Sequence, residues 1–489
     1  MFFARKLREY GRTVEIFCRA VIISMNIHNE KGFDMEGQNE DREFPQENLN
    51  AGSQPKTIVK KSNRKRNALI ALGAVAIAFV FFFTGWFARY LALDRRARDL
   101  LWLMETADDH YYREISDEEW NDLYDRFYDM VLPDRFCSFY TGEEYRKLLG
   151  ESEGNNKDTG LSAIDEGGRL RVYNVIGNSP AALAGIRSGM YIYRFGTSEE
   201  EMKEGNRNEF YALSGNAIYL ECGDTQESAK VCRIQSENYL ASYCSYRDSQ
   251  TSFDFRTKVD KLELTDTGNA HEGLDGTTAY ISVSQFDGNV SSEFKAMLSL
   301  MKSRGRNNLI LDLRRNGGGY LRAFQEMSAH LLRNAEDGNP LVATAKYRSG
   351  KVTRFRATGN DFGNYFDDTS RVSVLADERT ASASECLIGA LIDYGTADFS
   401  DVYLRKTDGE EARSYGKGVM QTAYVAPSGS AARITTAEIF WPVSGRSIHD
   451  TGVTERLGAV GIVAPLLSGE RDSMLDEVIS RLCGAGGDA

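Results

Sequence analysis

The chain has 489 residues, of which 42% are apolar and 27% charged, and at about 150 residues per domain this composition is typical of a globular protein with several domains. Its formal net charge of −12, with no basic domain, argues against nucleic acid as the main partner. The seven cysteines include no Cys-x-x-Cys pair, and none lies at metal-ligand spacing with a histidine, so no metal site is predicted.

Residues 1–67 are predicted to form a cytoplasmic tail that is largely disordered, because the stretch EGQNEDREFPQENLNAGSQP is polar throughout. The preceding stretch, MFFARKLREYGRTVEIFCRAVIISMN, is basic and apolar. It is either an amphipathic helix or translation from a start codon upstream of the natural one, in which case Met35 begins a shorter tail. Sequencing the N-terminus of the natural protein decides between Met1 and Met35.

Residues 68–88, ALIALGAVAIAFVFFFTGWFA, carry no charge and are predicted to form one transmembrane helix, since a bilayer core needs about 20 apolar residues. A buried core helix of this length would rarely lack polar positions. The preceding KTIVKKSNRKR is strongly basic, which by the positive-inside rule favours a cytoplasmic N-terminus and an extracytoplasmic C-terminal part. The span is too long for a signal sequence and no small-x-small cleavage site follows, so it is interpreted as an uncleaved anchor.

Residues 89–150 are predicted to be a helical region. Ser116-x-x-Glu119 fits a helix-capping box, and an apolar stripe follows until Pro133. Such a region is too thin to bury its own apolar face, so it should pack on the body of the chain or on a second copy.

Residues 151–255 are predicted to form an α+β module. A strand runs into GNSP, then a short helix ended by Gly185, then a second strand, an order that resembles a PDZ domain of the bacterial protease type. Backbone amides of the loop TGLSAI would then bind a peptide carboxylate, and the loop residues concerned are Gly160, Leu161, Ser162 and Ala163. Met190 departs from the usual Asp of such domains, and an ordinary α+β module without a ligand stays possible. Cys222 and Cys232 can pair across a hairpin of this module, although buried free thiols are the simpler interpretation.

Residues 256–470 read as alternating strands and helices, which predicts parallel strand pairing with helices covering the sheet. Residues 471–489 are predicted to be a C-terminal helix and a flexible tail. Two loops at the ends of predicted strands stand out, RRNGGGY and ERTASASE. Three successive glycines are conformationally costly unless a ligand must approach the backbone, and their bare amides suit an oxyanion hole.

Ser382 begins the helix that follows the second loop, and two interpretations remain open for it. Ser382-x-x-Glu385 fits a capping box, which is the commoner meaning of this spacing. A serine at a helix start just beyond a strand is also the geometry of a hydrolase nucleophile.

A nucleophilic serine needs a base, and the five histidines offer only one candidate that follows the core strands in a loop, His449. The others lie in the tail, the helical region, a polar linker or a helix: His28, His110, His271 and His330. Lysine is the second possibility. Lys417 stands between two glycines, which is more often a solvated turn, yet a buried lysine can lose its proton and act as a base.

Three stretches, NLILDLRRNGGGYL, TASASECLIGALIDYG and YGKGVMQ, follow the PDZ-like module in this order. Together they resemble the carboxy-terminal processing (tail-specific) proteases, serine peptidases with a Ser–Lys dyad, and the similarity extends over residues 108–475. The resemblance implies a ClpP/crotonase-like α/β protease core, a homodimer and no metal or organic cofactor.

By the same resemblance, Ser382 matches the nucleophile, Lys417 the general base and Gln421 the residue that holds the lysine. The oxyanion donors would be the backbone amides of Gly318 and Ala383. Asp393 matches a further family position, but it lies about 16 Å along the helix from Ser382 and is interpreted as structural.

Besides Met190, two departures accompany the match: the loop before Lys417 carries an insertion that includes KTDGEEARS, and GVTERLG replaces the usual end of the family's last motif. The sequence therefore predicts a membrane-anchored, extracytoplasmic serine endopeptidase that binds polypeptide C-termini and cuts them with a Ser–Lys dyad. The alternatives are a catalytically inactive, membrane-bound peptide-binding scaffold and a Ser–His hydrolase that uses His449. The natural substrate is not specified by the sequence.

Overall fold

The structure, a computed structural model, describes residues 64–489 except 94, 111–114, 117, 121, 124–125, 128–133, 214–216, 259–260, 334–338, 360–364, 470 and 484–489. The predicted tail before residue 64, with Met35 and His28, and the last six residues lie outside the described part. The chain divides into two units, residues 1–127 and residues 128–489.

The first unit contains helix α1 (Arg64–Leu91) and helix α2 (Arg95–His110). The α1 sequence includes a 19-residue stretch, Ala71–Arg89, with a mean hydropathy of 2.1 and none of it buried inside the unit. This stretch is long and apolar enough to cross a membrane, which agrees in position with the predicted span at 68–88. Further helical residues lie at 118–120, 122–123 and 126–127, beyond a cap in which Glu119 accepts from the Ser116 amide at 3.0 Å.

The second unit is built on an eight-stranded sheet of mixed direction. Its order is β11-β10-β9-β12-β13-β16-β17-β20, and the last five strands in this order pair in parallel. The strands are β9 (Cys244–Arg247), β10 (Ser252–Lys258), β11 (Lys261–Asp266), β12 (Thr278–Val283), β13 (Asn308–Asp312), β16 (Val372–Ala376), β17 (Val402–Lys406) and β20 (Val460–Val463). The parallel pairing predicted from strand–helix alternation is confirmed for these five strands.

Helices cover both faces of this sheet. Because successive residues of a strand point to opposite faces, each central strand contributes side chains to two cores. Leu309 and Leu311 of β13 face a core shared with α6 (Val290–Ser303), α7 (Leu321–Leu331) and α8 (Ala383–Asp393). Ile310 faces the other side, where α9 (Ser473–Cys483) packs through Leu475 and Ile479. The C-terminal helix is therefore an integral layer of the core.

A five-stranded antiparallel sheet with the order β3-β4-β5-β6-β7 forms a separate small core, here called the five-stranded module. Its elements are β3 (Leu161–Glu166), β4 (Arg169–Val175), α4 (Pro180–Leu183), β5 (Tyr191–Gly196), α5 (Arg207–Tyr211), β6 (Ala217–Gly223) and β7 (Lys230–Gln235). A two-stranded pair, β2 (Asn155–Asp158) and β8 (Glu237–Leu240), flanks it in sequence. Strands β9 and β10 begin inside the segment 151–255 but pair in the eight-stranded sheet. Cys222 and Cys232 are both free thiols.

A third sheet joins the start of the second unit to its end. Strand β1 (Ser138–Tyr140) pairs with β19 (Ala431–Phe440), which also pairs with β14 (Leu341–Tyr347) and β18 (Val419–Val425), while β15 (Val352–Arg356) pairs with β14. Helix α3 (Gly142–Ser152) follows β1, capped by Thr141. The segment 89–150, predicted as helical, thus contains a strand, because β19 supplies a partner that the local sequence cannot reveal.

Candidate active site

Ser382 lies on the sharp turn between β16 and α8. Its backbone has φ 57° and ψ −113°, a positive-φ conformation that is strained for a residue with a side chain. The turn is held by the buried carboxylate of Asp377, which accepts from the amides of Arg315 and Thr380 at 2.9 and 3.1 Å. The fold therefore keeps Ser382 in a costly conformation at a helix N-terminus, the arrangement of a nucleophile presented at the end of a strand.

Gly318, in the glycine loop after β13, packs directly on Ser382. It has φ +97°, and a Cβ placed there would lie 2.8 Å from Ser382 Cβ and 2.9 Å from the amide nitrogen of Ala383. Only glycine fits at this position. The Gly318 amide donates to Asn316 Oδ1 at 2.9 Å, so in this structure a side chain of the same loop occupies one of the two predicted oxyanion donors.

The buried carboxylate of Glu385 joins the serine turn to the lysine loop. Its Oε2 accepts from the amides of Ser382 and Lys417, each at 2.9 Å, and its Oε1 accepts from the Gly416 amide at 2.7 Å and from the Ser414 hydroxyl. Glu385 has no solvent exposure, and burial raises the pKa of its carboxyl group, while the four donors act in the opposite direction. Four donors on two oxygens suit the ionised form. The backbone amides of Ser382 and Lys417 thus donate to the same carboxylate oxygen.

The amine of Lys417 lies in a partly buried site beside this network. Burial lowers its pKa, the positive charge of Arg433 lowers it further, and Asp134 and Glu385 oppose the shift. The ring of Phe136 lies 5.2 Å from Lys417 Nζ. A lowered pKa favours the neutral amine that a general base requires. The side chains of Ser382 and Lys417 make no direct hydrogen bond with each other within the described part of the chain.

Gln421 and Asp393 occupy separate positions. Gln421 lies on β18 and donates through Nε2 to Thr435 Oγ1 at 3.2 Å, with no hydrogen bond to Lys417 among the described contacts. Asp393 ends α8 and accepts from the amides of Val443 and Ser444, each at 2.9 Å. Its contacts are those of a turn anchor at the far end of the helix from Ser382.

His449 lies near the lysine loop but not on the serine. Its backbone packs against Gly418, where an added Cβ would approach the His449 amide nitrogen at 2.7 Å. Its imidazole centre is 6.5 Å from the Phe136 ring, and its Nε2 lies 3.7 Å from Asp450 Oδ2. No hydrogen bond joins His449 to Ser382 in the described structure.

The insertion before Lys417 is fixed by Glu455. This carboxylate accepts from the Lys406 ammonium and from the Ala412 amide, both at 2.8 Å. Two residues on, the Ser414 amide bonds the Val453 carbonyl at 2.9 Å. The end of the insertion is therefore ordered, and it places residues 414–417 within hydrogen-bonding distance of Glu385.

The loop predicted to bind a peptide carboxylate precedes and enters edge strand β3. Leu161 and Ser162 pair with β4, the Gly160 amide donates to Asp158 Oδ1 at 2.6 Å, and the Ala163 amide donates to the Tyr211 hydroxyl at 2.9 Å. The same hydroxyl donates to the Ala163 carbonyl at 3.3 Å. The chain's own side chains thus occupy backbone groups that an added peptide strand would need.

Sequence reasoning missed the network of Glu385 and the contacts of Phe136, Arg433 and Tyr211. The only local signal was the Ser-x-x-Glu spacing, which identified one of the four donors to Glu385. Among the described residues, no group of three or more His, Cys, Asp or Glu side chains is arranged to hold a metal ion.

Comparison with known proteins shows what this chain is similar to. The family model of peptidase family S41 matches residues 277–457. A protein named "Probable CtpA-like serine protease" from Staphylococcus saprophyticus is 25% identical over 350 residues, covering 72% of this chain and 62% of that relative. The chloroplastic carboxyl-terminal-processing peptidase 3 of Arabidopsis thaliana is 25% identical over 362 residues, covering 72% and 61%.

The chain spans less than two thirds of the length of these two relatives. Among solved structures, the photosystem II D1 C-terminal processing protease aligns with a TM-score of 0.43 and 18% identity, over 74% of this chain and 86% of that one. Residues 277–457 therefore match the model of peptidase family S41, and most of the chain is similar to proteins named as CtpA-like serine protease and carboxyl-terminal-processing peptidase.

Proposed function

We propose that the protein is a serine endopeptidase with a Ser382–Lys417 dyad. The observation that carries this proposal is the Glu385 carboxylate, which binds the amides of both residues through one oxygen. Burying a carboxylate is costly unless hydrogen bonds compensate for the lost water. The four donors to Glu385 therefore indicate that the fold keeps the serine turn and the lysine loop together. The strained backbone of Ser382 and the lowered pKa of Lys417 support the same assignment.

In the proposed reaction, Ser382 Oγ attacks the carbonyl carbon of the scissile peptide bond while neutral Lys417 Nζ takes the hydroxyl proton. The amide of Ala383, at the N-terminus of α8, donates to the oxyanion, and the Gly318 amide joins it on release from Asn316. The Lys417 ammonium then protonates the departing amine, and water resolves the acyl-enzyme by the reverse use of the same base. Because Glu385 already holds both backbones, the proposed reaction needs the Lys417 side chain to turn toward Ser382 and the Gly318 amide to leave Asn316.

The chain should bind an unstructured polypeptide end before cutting it. A peptide that adds to the free edge of β3 in the PDZ-like manner must displace the Tyr211 hydroxyl from Ala163, and its carboxylate must compete with Asp158 for the Gly160 amide. The proposed peptide site is therefore closed by the chain itself in the resting state.

Tyr211→Phe is expected to tighten peptide binding roughly 2- to 13-fold, because it removes the hydrogen bonding of the Tyr211 hydroxyl to Ala163, worth about 0.5–1.5 kcal/mol in total, while keeping the ring. Fluorescence anisotropy with a labelled peptide ending in a free valine carboxylate measures this, and the same peptide with a C-terminal amide reports the carboxylate's share. Tyr193→Phe, in the same module, is the matched control. An affinity that does not increase in Tyr211→Phe contradicts the closed site.

We further propose that α1 anchors the protein in a membrane, with the N-terminus cytoplasmic and the catalytic unit extracytoplasmic. The uncharged 68–88 stretch, its unburied surface and the basic residues before it support this placement. A homodimer remains the expectation for the region around α2.

Incubation of the full chain in detergent with β-casein, an unfolded protein with a free carboxyl end, tests the proposed function. Mass spectrometry should find fragments with the wild type and none with Ser382→Ala, while both proteins still bind the substrate. A chain that binds β-casein but leaves it intact is a scaffold, and equal cutting by Ser382→Ala excludes this nucleophile.

A further inference from the structure

The amine of Lys417 is covered by a segment that comes from before the five-stranded module, residues 134–140, here called the covering segment. Its strand β1 pairs antiparallel with β19, matching Ser138 with Arg433 and Tyr140 with Ala431. Cys137 Sγ accepts from the Thr435 amide at 3.3 Å, and Thr435 in turn holds the side chain of Gln421. The covering segment is thus fixed to the two strands that follow the lysine loop.

Phe136 is the residue of the covering segment that reaches the amine. The Phe136 amide donates to Asp134 Oδ1 at 2.8 Å, and this hydrogen bond stabilises the turn from which the ring extends toward Lys417. The ring centre lies 5.2 Å from Lys417 Nζ and packs edge-on against Tyr415 at 6.2 Å. Arg135 covers the Phe136 and Tyr415 rings, with Cζ 4.9 and 5.1 Å from their centres.

We propose that Phe136 is a positioning residue for the Ser382–Lys417 dyad, whose ring excludes water from one side of the lysine amine and so disfavours its ammonium form. This inference rests on the proposed function. An aromatic face also attracts an ammonium, which would favour the charged form. At 5.2 Å the amine is close to the 6 Å limit of such contacts, so this attraction is weak. The ring still excludes water from the amine, whatever the orientation of its face.

Other charges face the same amine and set the background for this effect. Arg433, from β19, disfavours the ammonium, while Asp134 in the covering segment and Glu385 on α8 favour it. Arg135 and His449 also lie near the Phe136 ring, with the Arg135 Cζ 4.9 Å and the His449 ring centre 6.5 Å from its centre. Burial is the largest influence on the Lys417 pKa and lowers it, so the shielding of this amine outweighs the attractive charges around it.

The test measures the titration of Lys417 directly, by competitive labelling of its amine with an amine-reactive reagent across pH and quantification by mass spectrometry. In the full chain with Ser382→Ala, adding Phe136→Ala should move the labelling midpoint upward by at least about half a pH unit, which is roughly a threefold change in neutral amine below the midpoint. Phe136→Leu keeps the bulk without the π face and should stay near the parent value. Tyr145→Ala, a half-buried aromatic of α3, is the matched control.

The second readout is the pH dependence of kcat/KM, measured in the chain that keeps Ser382. The rising limb should move to higher pH in Phe136→Ala and be restored in Phe136→Leu. An unchanged labelling midpoint in Phe136→Ala, a downward shift in Phe136→Leu, or a rate loss equal at every pH overturns the inference. Because labelling needs no turnover, a failure of this inference is distinguishable from a failure of the proposed peptidase activity.

Discussion

Lys417→Ala is expected to lower kcat/KM for an unfolded protein at least about 10³-fold, in line with the loss of a positioned base from a serine nucleophile. Ser382→Ala should lose at least as much, and the double variant little more, because residues that act as a unit are not additive. Below the pKa of Lys417 the amine is protonated and cannot accept the serine proton. The wild-type rate should therefore rise with pH, with a midpoint below the ordinary lysine value, since burial lowers that pKa.

The matched control for this prediction is His449→Ala, which removes a second candidate base beside the same loop. It should keep turnover within a few-fold of the wild type, because His449 makes no hydrogen bond to Ser382 within the described structure. The account of the dyad is wrong if Lys417→Ala keeps its turnover while His449→Ala loses it. Intact-protein circular dichroism should confirm that each variant is folded.

Glu385→Gln is expected to impair both stability and catalysis, because an amide cannot accept all four donors that the carboxylate binds. The amide nitrogen would face two N–H or O–H donors, from Ser382 and Lys417 or from Ser414 and Gly416. Leaving buried donors unpaired costs about 1–3 kcal/mol each, so unfolding should be easier by at least about 2 kcal/mol. Loss of the link between the two loops should also lower kcat about 10²-fold, since small displacements of reacting groups have effects of that size.

Glu378→Gln is the matched control, since Glu378 lies in the same serine turn but pairs only with Arg405 among the described contacts, at 2.8 Å, with exposures of 41% for Glu378 and 11% for Arg405. Its effect should be smaller than that of Glu385→Gln, because the amide oxygen of a glutamine at this position can still accept the single hydrogen bond from Arg405. Chemical denaturation and kcat measured on both variants give the comparison. Equal behaviour of the two variants would show that Glu385 has no special role in joining the loops.

Local periodicity was sufficient to predict the parallel part of the main sheet, because β12, α6, β13 and α7 alternate in a pattern that allows only parallel pairing. It also identified the glycine loop and the serine turn, each of which follows a strand directly. The pairing of β1 with β19 could not be predicted, since its partners are almost 300 residues apart and Ser138–Tyr140 carries no turn or register signal.

The same limit applies to the candidate site. The Ser-x-x-Glu spacing predicts the contact between Glu385 and the Ser382 amide, which is present. The other three donors come from residues 414–417, and only the tertiary fold brings them to α8. Likewise, nothing local to Ala163 indicates that Tyr211, 48 residues later, covers its backbone.

Covalent labelling with a serine-directed fluorophosphonate, followed by peptide mapping, tests the dyad most directly. If Ser382 and Lys417 form the dyad, the wild type should carry a single phosphonyl adduct on Ser382, formed faster as pH rises through the Lys417 titration, and Lys417→Ala should carry almost none. An adduct on another residue, or labelling of Ser382 at the same rate without Lys417, would contradict the dyad.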